Sequence, residues 1–175
     1  MARTKRVATI KAIITRRLNN LLLLAAALLV FSCDGSIFHN YRSVSDGWSS
    51  GDTLRFVCPP VSGTVPLTAD VAVGVRYSAA YGYKTLPLSI TARIGAETIA
   101  CDTVFCDIYS SNGRRNGTTG GLLYQAEFPV SGMQVQLSDT LSFSVVHLLA
   151  DSLLLGVNDV GIRLVSPCRR QCAGK

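Results

Sequence analysis

The 175-residue chain has two histidines, His39 and His147, and a single tryptophan, Trp48. It contains no CxxC pair, no GxGxxG and no GxxxxGK followed by Ser or Thr. Those absences remove paired-cysteine zinc sites, dinucleotide-binding loops and phosphate-cradling loops from consideration. Charged residues make up only 16% of the chain and hydrophobic ones 48%, which excludes a disordered segment or a coiled coil. No acidic residue precedes Asp34, whereas Arg3, Lys5, Arg6, Lys11, Arg16 and Arg17 all do. Taking those six from 17 Lys and Arg leaves 11, matched by 11 Asp and Glu beyond position 33. The net charge of +6 is therefore local to the first residues, and no nucleic-acid partner is indicated.

No apolar run is long enough to span a bilayer. Leu21 to Ser32 is an uncharged stretch of 12 residues. As a helix it covers about 18 Å, against a hydrocarbon core of roughly 30 Å. A basic region, a short apolar run and a small residue at its end constitute a secretory signal. The run closes on Val30-Phe31-Ser32-Cys33, which resembles a bacterial lipobox: aliphatic, then small, then cysteine. In such signals the cysteine thiol takes a diacylglycerol through a thioether before cleavage, and the new amino terminus is acylated too. Two or three acyl chains hold a protein stably on a membrane, where one does not. The expected organisation is a signal peptide over 1–32, lipidated Cys33 with a short tether to residue 40, a folded domain over 41–166, and a cysteine-containing tail over 167–175.

Beyond the tether, hydrophobicity alternates with period two. Leu54 and Phe56 share a face, as do Val71, Val73, Val75 and Tyr77, with Arg76 pointing away. Leu86, Leu88 and Ile90 repeat the pattern, followed by Leu141, Phe143 and Val145 and by Val160, Ile162 and Leu164. Such alternation between Gly, Pro, Asn and Asp clusters marks half-buried antiparallel strands. The chain is thus all-β, one antiparallel β-sandwich with a jelly-roll-like order as a candidate topology. Pro87 inside a strand pattern points to an edge position or a bulge. His147 to Leu155 is the one helical candidate, too short to stand alone and equally readable as a turn or loop. Residues 110–121, SSNGRRNGTTGG, read as a long, mobile loop of the kind that often carries binding.

Five cysteines remain beside Cys33. Cys168 and Cys172 lie four apart in the tail and are a possible disulfide in an oxidising compartment. Cys101 and Cys106 are five apart in a strand-like run, so their side chains point to opposite faces. Cys58 completes an odd total, which leaves at least one thiol free or intermolecular. No metal and no cofactor is expected.

Gly47-Trp48-Ser49-Ser50-Gly51 matches the GxSxG pattern of hydrolase elbows, but only 14 residues precede it after Ser32 and a strand pattern follows. The elbow needs a buried strand before it and a helix after it. No catalytic residue is assigned. Trp48, Tyr81 and Tyr83 are candidates for gripping a protein or stacking on a glycan, with Arg76 beside them as a fourth interface candidate. Trp48 serves equally well as a plug at one end of a core. Asp-Ser/Thr-aliphatic triplets make Thr53, Thr103, Thr140 and Ser152 O-glycosylation candidates of the kind used for exported proteins in the Bacteroidota. Each triplet also reads as a turn that opens a strand.

Taken in order, these features resemble the gliding motility lipoprotein GldH family of the Bacteroidota. The resemblance is carried by the lipobox, Phe38-His39-Asn40-Tyr41, Trp48 and Asp52-Thr53-Leu54-Arg55-Phe56. It continues through Val75-Arg76-Tyr77, Tyr81-Gly82-Tyr83 and Leu86-Pro87-Leu88-Ser89-Ile90. Its most specific stretch is Leu155-Gly156-Val157-Asn158-Asp159-Val160-Gly161-Ile162. The resemblance implies an outer-membrane lipoprotein of the cell envelope, held by its lipid, with the periplasmic face expected. It implies a non-catalytic assembly or stabilising factor whose partners are envelope proteins of the gliding and type IX secretion machinery. A glycan-binding lipoprotein is the alternative, and a hydrolase built on Ser49 with His39 or His147 the remoter one.

Overall fold

The computed structural model describes residues 36–61 and 67–167. Cys33, Cys168 and Cys172 lie outside the described residues, so the lipidation site and the tail disulfide do too. Eleven strands follow one another: β1 (Ser36–Ser43), β2 (Trp48–Ser49), β3 (Leu54–Cys58), β4 (Thr68–Ser78), β5 (Thr85–Ile94), β6 (Glu97–Asp107), β7 (Thr118–Gly120), β8 (Leu123–Gln136), β9 (Leu141–His147), β10 (Leu153–Leu154) and β11 (Val157–Val165). No helix occurs among the described residues. The expected helical candidate is instead the end of β9, a loop and β10. Its apolar character has two sources: His147 and Leu154 face inward, while Leu148, Leu153 and Leu155 are on the surface.

Two antiparallel sheets form, in the orders β1-β11-β4-β8-β7 and β3-β9-β5-β6, with a small β10-β2 ribbon at one end. The pairings β1·β11, β3·β9, β4·β8 and β5·β6 are nested within one another along the chain. The chain is thus one long hairpin, folded at the β5–β6 turn and rolled so that successive pairs alternate between the sheets. That is the jelly-roll order, and the sandwich expected from the alternation carries it.

The alternating residues form the layer between the sheets. Val71, Val73, Val75 and Tyr77 from β4 are buried, as are Leu86, Leu88, Ile90, Phe143, Val160, Ile162 and Leu164. Phe56 of β3 lies directly opposite Phe143 of β9. In β8 the phase changes. Ala126 and Val130 are buried at even positions, Met133 and Val135 at odd ones. Between the Pro129↔Ala72 and Gln134↔Asp70 pairs β8 advances five residues while β4 advances two, so a bulge around Gly132 inserts an odd number of residues. An odd insertion exchanges the faces of a strand.

Two sequence expectations are corrected. β1 opens at Ser36, so residues 36–40, read as tether, are strand paired with β11. The pairing spans more than a hundred residues of sequence, and polar Asn40 and Arg42 share the face of Phe38 while Tyr41 takes the other, so the local alternation is weak. Pro87 lies neither on an edge strand nor at a bulge: β5 is central, between β9 and β6. The ladder between β5 and β9 starts at Leu88↔His147, and the Pro87 carbonyl accepts from the Leu148 N–H. The missing donor therefore falls where β9 runs out.

The edge strand β1 is pinned by an aromatic wedge. Tyr41, Gly161 and Gly74 occupy one row across β1, β11 and β4. The Tyr41 ring lies along the trough that the two glycines leave. A Cβ on Gly74 would stand 2.2 Å from the Tyr41 hydroxyl, and one on Gly161 would stand 2.7 Å from the ring and from the Asn40 carbonyl. The Arg76 guanidinium caps the ring at 4.2 Å from its centroid. Burial pushes the Tyr41 phenol above its ordinary pKa.

Gly74→Ala is expected to destabilise the fold by about 1–3 kcal/mol through overpacking. In a Tyr41→Ala background the same change should be tolerated. A double-mutant cycle by urea unfolding measures that coupling, and additive effects would contradict the wedge.

Candidate functional site

β4 ends and β5 begins at the end of the sandwich opposite Ser36, because β1 starts beside Val165 and Asp70. This far end is built on tyrosine. Five of the six tyrosines gather there: Tyr77 stacks on Tyr124 at 5.5 Å, Tyr81 meets Tyr77 at 6.4 Å, and Tyr83 meets Tyr81 at 5.8 Å. The Arg115 guanidinium lies 5.0 Å from the Tyr124 ring centre and 5.2 Å from that of Tyr109. Its two terminal nitrogens donate to the carbonyls of Ser78 and Ala79 at 3.0 and 3.2 Å. The Tyr77 hydroxyl donates to the Asn116 carbonyl, and the Asn116 amide donates to that of Asp107 at 2.7 Å. The glycine-rich segment 110–121 is thereby fastened to β4 and β6. The loop read as mobile is a held one, because its arginine and asparagine spend their donors on neighbouring backbone.

Next to it runs the 148–156 segment. Gly156, at φ +86°, lies so close to the Tyr81 backbone that a Cβ would stand 2.3 Å from its nitrogen. The Tyr83 hydroxyl donates to the Asp151 carboxylate, which raises the Tyr83 pKa. Beneath these segments Trp48 is fully buried, its indole N–H donating to the Asp52 carbonyl at 3.0 Å. His147 packs edge-on against it at 5.1 Å. The imidazole is 4% exposed and neither ring nitrogen has a hydrogen-bond partner. Such a group costs more than an apolar side chain of its shape.

A family model described as GldH lipoprotein matches residues 36–164, from the first residue of β1 to the last but one of β11. The chain belongs to the GldH lipoprotein family. No curated protein matches it. Solved structures with some likeness include the infectious bursal disease virus VP2 subviral particle (13% identity, 77% of this chain, 34% of that one, TM-score 0.27). The infectious bursal disease virus Gx strain is similar at 10% identity, with 78% and 35% covered and a TM-score of 0.23. The chain spans about a third of their length. At those TM-scores the likeness carries no functional meaning.

As a member of that family the chain is a gliding-motility-associated lipoprotein of the cell envelope, and the family is not a known enzyme family. The stretch on which the resemblance most rested now has a physical role: Gly156 and Gly161 admit Tyr81 and Tyr41, and Asp159 pairs with Arg76 at 3.8 Å. Of the interface candidates, Trp48 and Tyr81 are buried at 0% and 1% exposure. They buttress the far end and offer no surface to a ligand. Tyr83 is exposed at 41%. Its ring is inclined 63° to that of Tyr81, so these two rings do not form a coplanar pair for sugar stacking. Arg76 stands on the outer face of the larger sheet, bonded to Gln125 at 3.0 Å.

Ser49 is in β2, with no helix after it, so the hydrolase elbow is not built. Among the described residues no group of three or more His, Cys, Asp and Glu side chains is placed to hold a metal. Cys101 and Cys106 do point to opposite faces, one exposed and one buried. Burial pushes the Cys106 thiol up to about 12. Thr53, Thr103, Thr140 and Ser152 are all exposed. Three of the four directly precede β3, β9 and β10, as a turn that opens a strand requires. Sequence reasoning missed Arg115 and the tyrosine cluster, which three separate segments assemble. One signal was present: Tyr81 continues the odd phase of β4.

Arg115→Ala should release the loop without unfolding the sandwich. Amide exchange is expected to lose protection over residues 108–118 and to stay unchanged in β4 and β11, with Arg115→Lys recovering only part because it lacks the planar fork. Uniform loss across the domain would contradict a local clasp.

Proposed function

We propose that this GldH-family chain is tethered by lipid at Cys33 to the outer membrane, on its periplasmic face. There it acts non-catalytically as an assembly or stabilising factor of the gliding and type IX secretion apparatus. The observation that carries the reading is the start of β1. With Ser36 already paired to Val165, only Asp34 and Gly35 stand between the proposed lipid-bearing cysteine and the folded body. Three residue steps reach at most about 11 Å. A leash so short holds the domain at the membrane surface and raises its effective concentration for neighbours anchored there. A modest protein interface then suffices for stable association.

The glycan-binding alternative loses its support with the burial of Trp48 and Tyr81. Glycosylation at the exposed hydroxyls of Thr53, Thr103, Thr140 and Ser152 is compatible with the proposal.

Cys33→Ala is expected to leave the precursor unprocessed or to release the product from the membrane. Fractionation and intact-mass measurement in the native host report this directly. A Cys33→Ala protein that is cleaved and retained on the membrane as the parent is would refute the anchor.

A further inference from the structure

We infer that the β2–β10 ribbon, with the loops that carry it, is a hinged lid over the far end of the core, which opens while both sheets stay folded. The lid depends on neither the anchor nor the proposed partners. Trp48 and Ser49 of β2 pair with Leu154 and Leu153 of β10, and neither strand joins either sheet. Residues 45–53 and 149–155 therefore form a flap whose ladder is its own. Ser50 donates its N–H to the Ser152 carbonyl at 3.1 Å, and Asp52 donates to that of Ser49 at 3.0 Å, both within the flap. The Trp48 indole N–H also bonds inside it, on the Asp52 carbonyl.

Backbone bonds from this region to the body of the domain lie at its rims. The Val44 N–H donates to Asn158 at 2.8 Å, Leu148 to Pro87 at 3.0 Å, and Ser78 to Gly156 at 2.9 Å. Glycines in the left-handed region stand at two of these rims, Gly47 at φ +110° and Gly156 at φ +86°. Small residues at element ends are where a hinge takes up its rotation. Across the middle, the Tyr83 hydroxyl reaches the Asp151 carboxylate on the exposed surface.

Two opposed terms sit beneath the flap. Trp48 and Leu154, at 0% and 1% exposure, plug the core, and their burial keeps the lid shut. Against them stands His147, edge-on to Trp48 at 5.1 Å and 4% exposed, with neither ring nitrogen bonded. Buried polar atoms left without partners raise the free energy of the closed state. Lifting Trp48 away lets water reach both nitrogens. The sheets are spared, because His147 keeps its place opposite Leu88 and the Tyr41 wedge lies on β1, β11 and β4. Opening is thus a local event, less costly than unfolding the whole domain. A ladder of two residue pairs does not persist in water by itself, so the ribbon amides exchange once it lifts.

Hydrogen exchange resolved by residue, on the full-length lipidated protein, tests this. The Ser50 and Leu148 amides and the Trp48 indole N–H should share one protection factor, at least about tenfold below those of Val75 in β4 and Ile162 in β11. Urea below the unfolding midpoint should scarcely alter the three, because little surface is exposed, while Val75 and Ile162 accelerate steeply. Gly74→Ala should likewise accelerate only Val75 and Ile162, since the wedge is intact whether the lid is open or shut. His147→Leu should slow the three at least about threefold by removing the unmet nitrogens. Protection equal to that of the sheets, or unlike values among the three, would overturn the lid. So would flap exchange that accelerates in step with the sheets in urea or in Gly74→Ala, or that His147→Leu leaves as fast as in the parent. The urea series needs no substitution, so a variant that folds poorly leaves the test intact.

Discussion

The pairing of β1 with β11 is the contact on which the rest of this molecule depends. It closes the outermost turn of the jelly roll by joining the first strand to the last. It also sets the end of the sandwich at which β1 begins, beside Val165 and Asp70. The pairing is secured by more than its ladder. Two glycines, Gly74 and Gly161, open a trough across the sheet, Tyr41 fills it, and Arg76 closes it from above. Arg76 is in turn shared with Gln125 and Asp159, so four strands are joined through one side chain. An edge strand so pinned is joined to the whole sheet and, under the proposed anchoring at Cys33, passes a pull on it to the domain.

The two ends of the sandwich are chemically unlike. The end near Ser36 is closed by short backbone links, such as Val61 and Leu67 to Leu137. The far end gathers five tyrosines, Arg115 and a buried Trp48–His147 pair under a surface of leucines. Aromatic and guanidinium packing ties the segments of that end to one another. The open edge of β6 is treated oppositely. Asp102 accepts the Thr103 N–H at 2.7 Å, occupying a backbone donor on a strand that has only one neighbour. A charged residue on an edge strand discourages further strand addition.

The sandwich was legible in the sequence because its core strands obey period two over their full length. Val71 to Tyr77, Leu86 to Ile90 and Val160 to Leu164 are each buried on the expected face. β1 was hidden because Asn40 and Arg42 follow Phe38 on its core-side face while Tyr41 takes the outer one, which breaks the alternation, and because its partner is at the other end of the chain. β8 was blurred by the bulge at Gly132, which shifts its phase midway. The site was less legible than the fold. Trp48 sits among Gly, Ser and Asp, where a core plug and an exposed loop read alike, and Tyr81 sits between Ala80 and Gly82 in a turn; both point inward. The tyrosine cluster draws on residues 77–83, 109 and 124, so only the topology brings it together.

The proposed anchoring at Cys33 makes one directly measurable claim: the end of the sandwich where Ser36 lies is the end held near the bilayer. Energy transfer from a single fluorophore to an acceptor in the bilayer measures this on the lipidated protein. One label belongs at Gly95, in the β5–β6 turn, and the other at Gly121, in the β7–β8 turn. The account predicts that Gly95 lies closer to the bilayer by about the length of the long strands, some 30 Å. Equal distances, or a Gly121 label nearer the lipid, would contradict it.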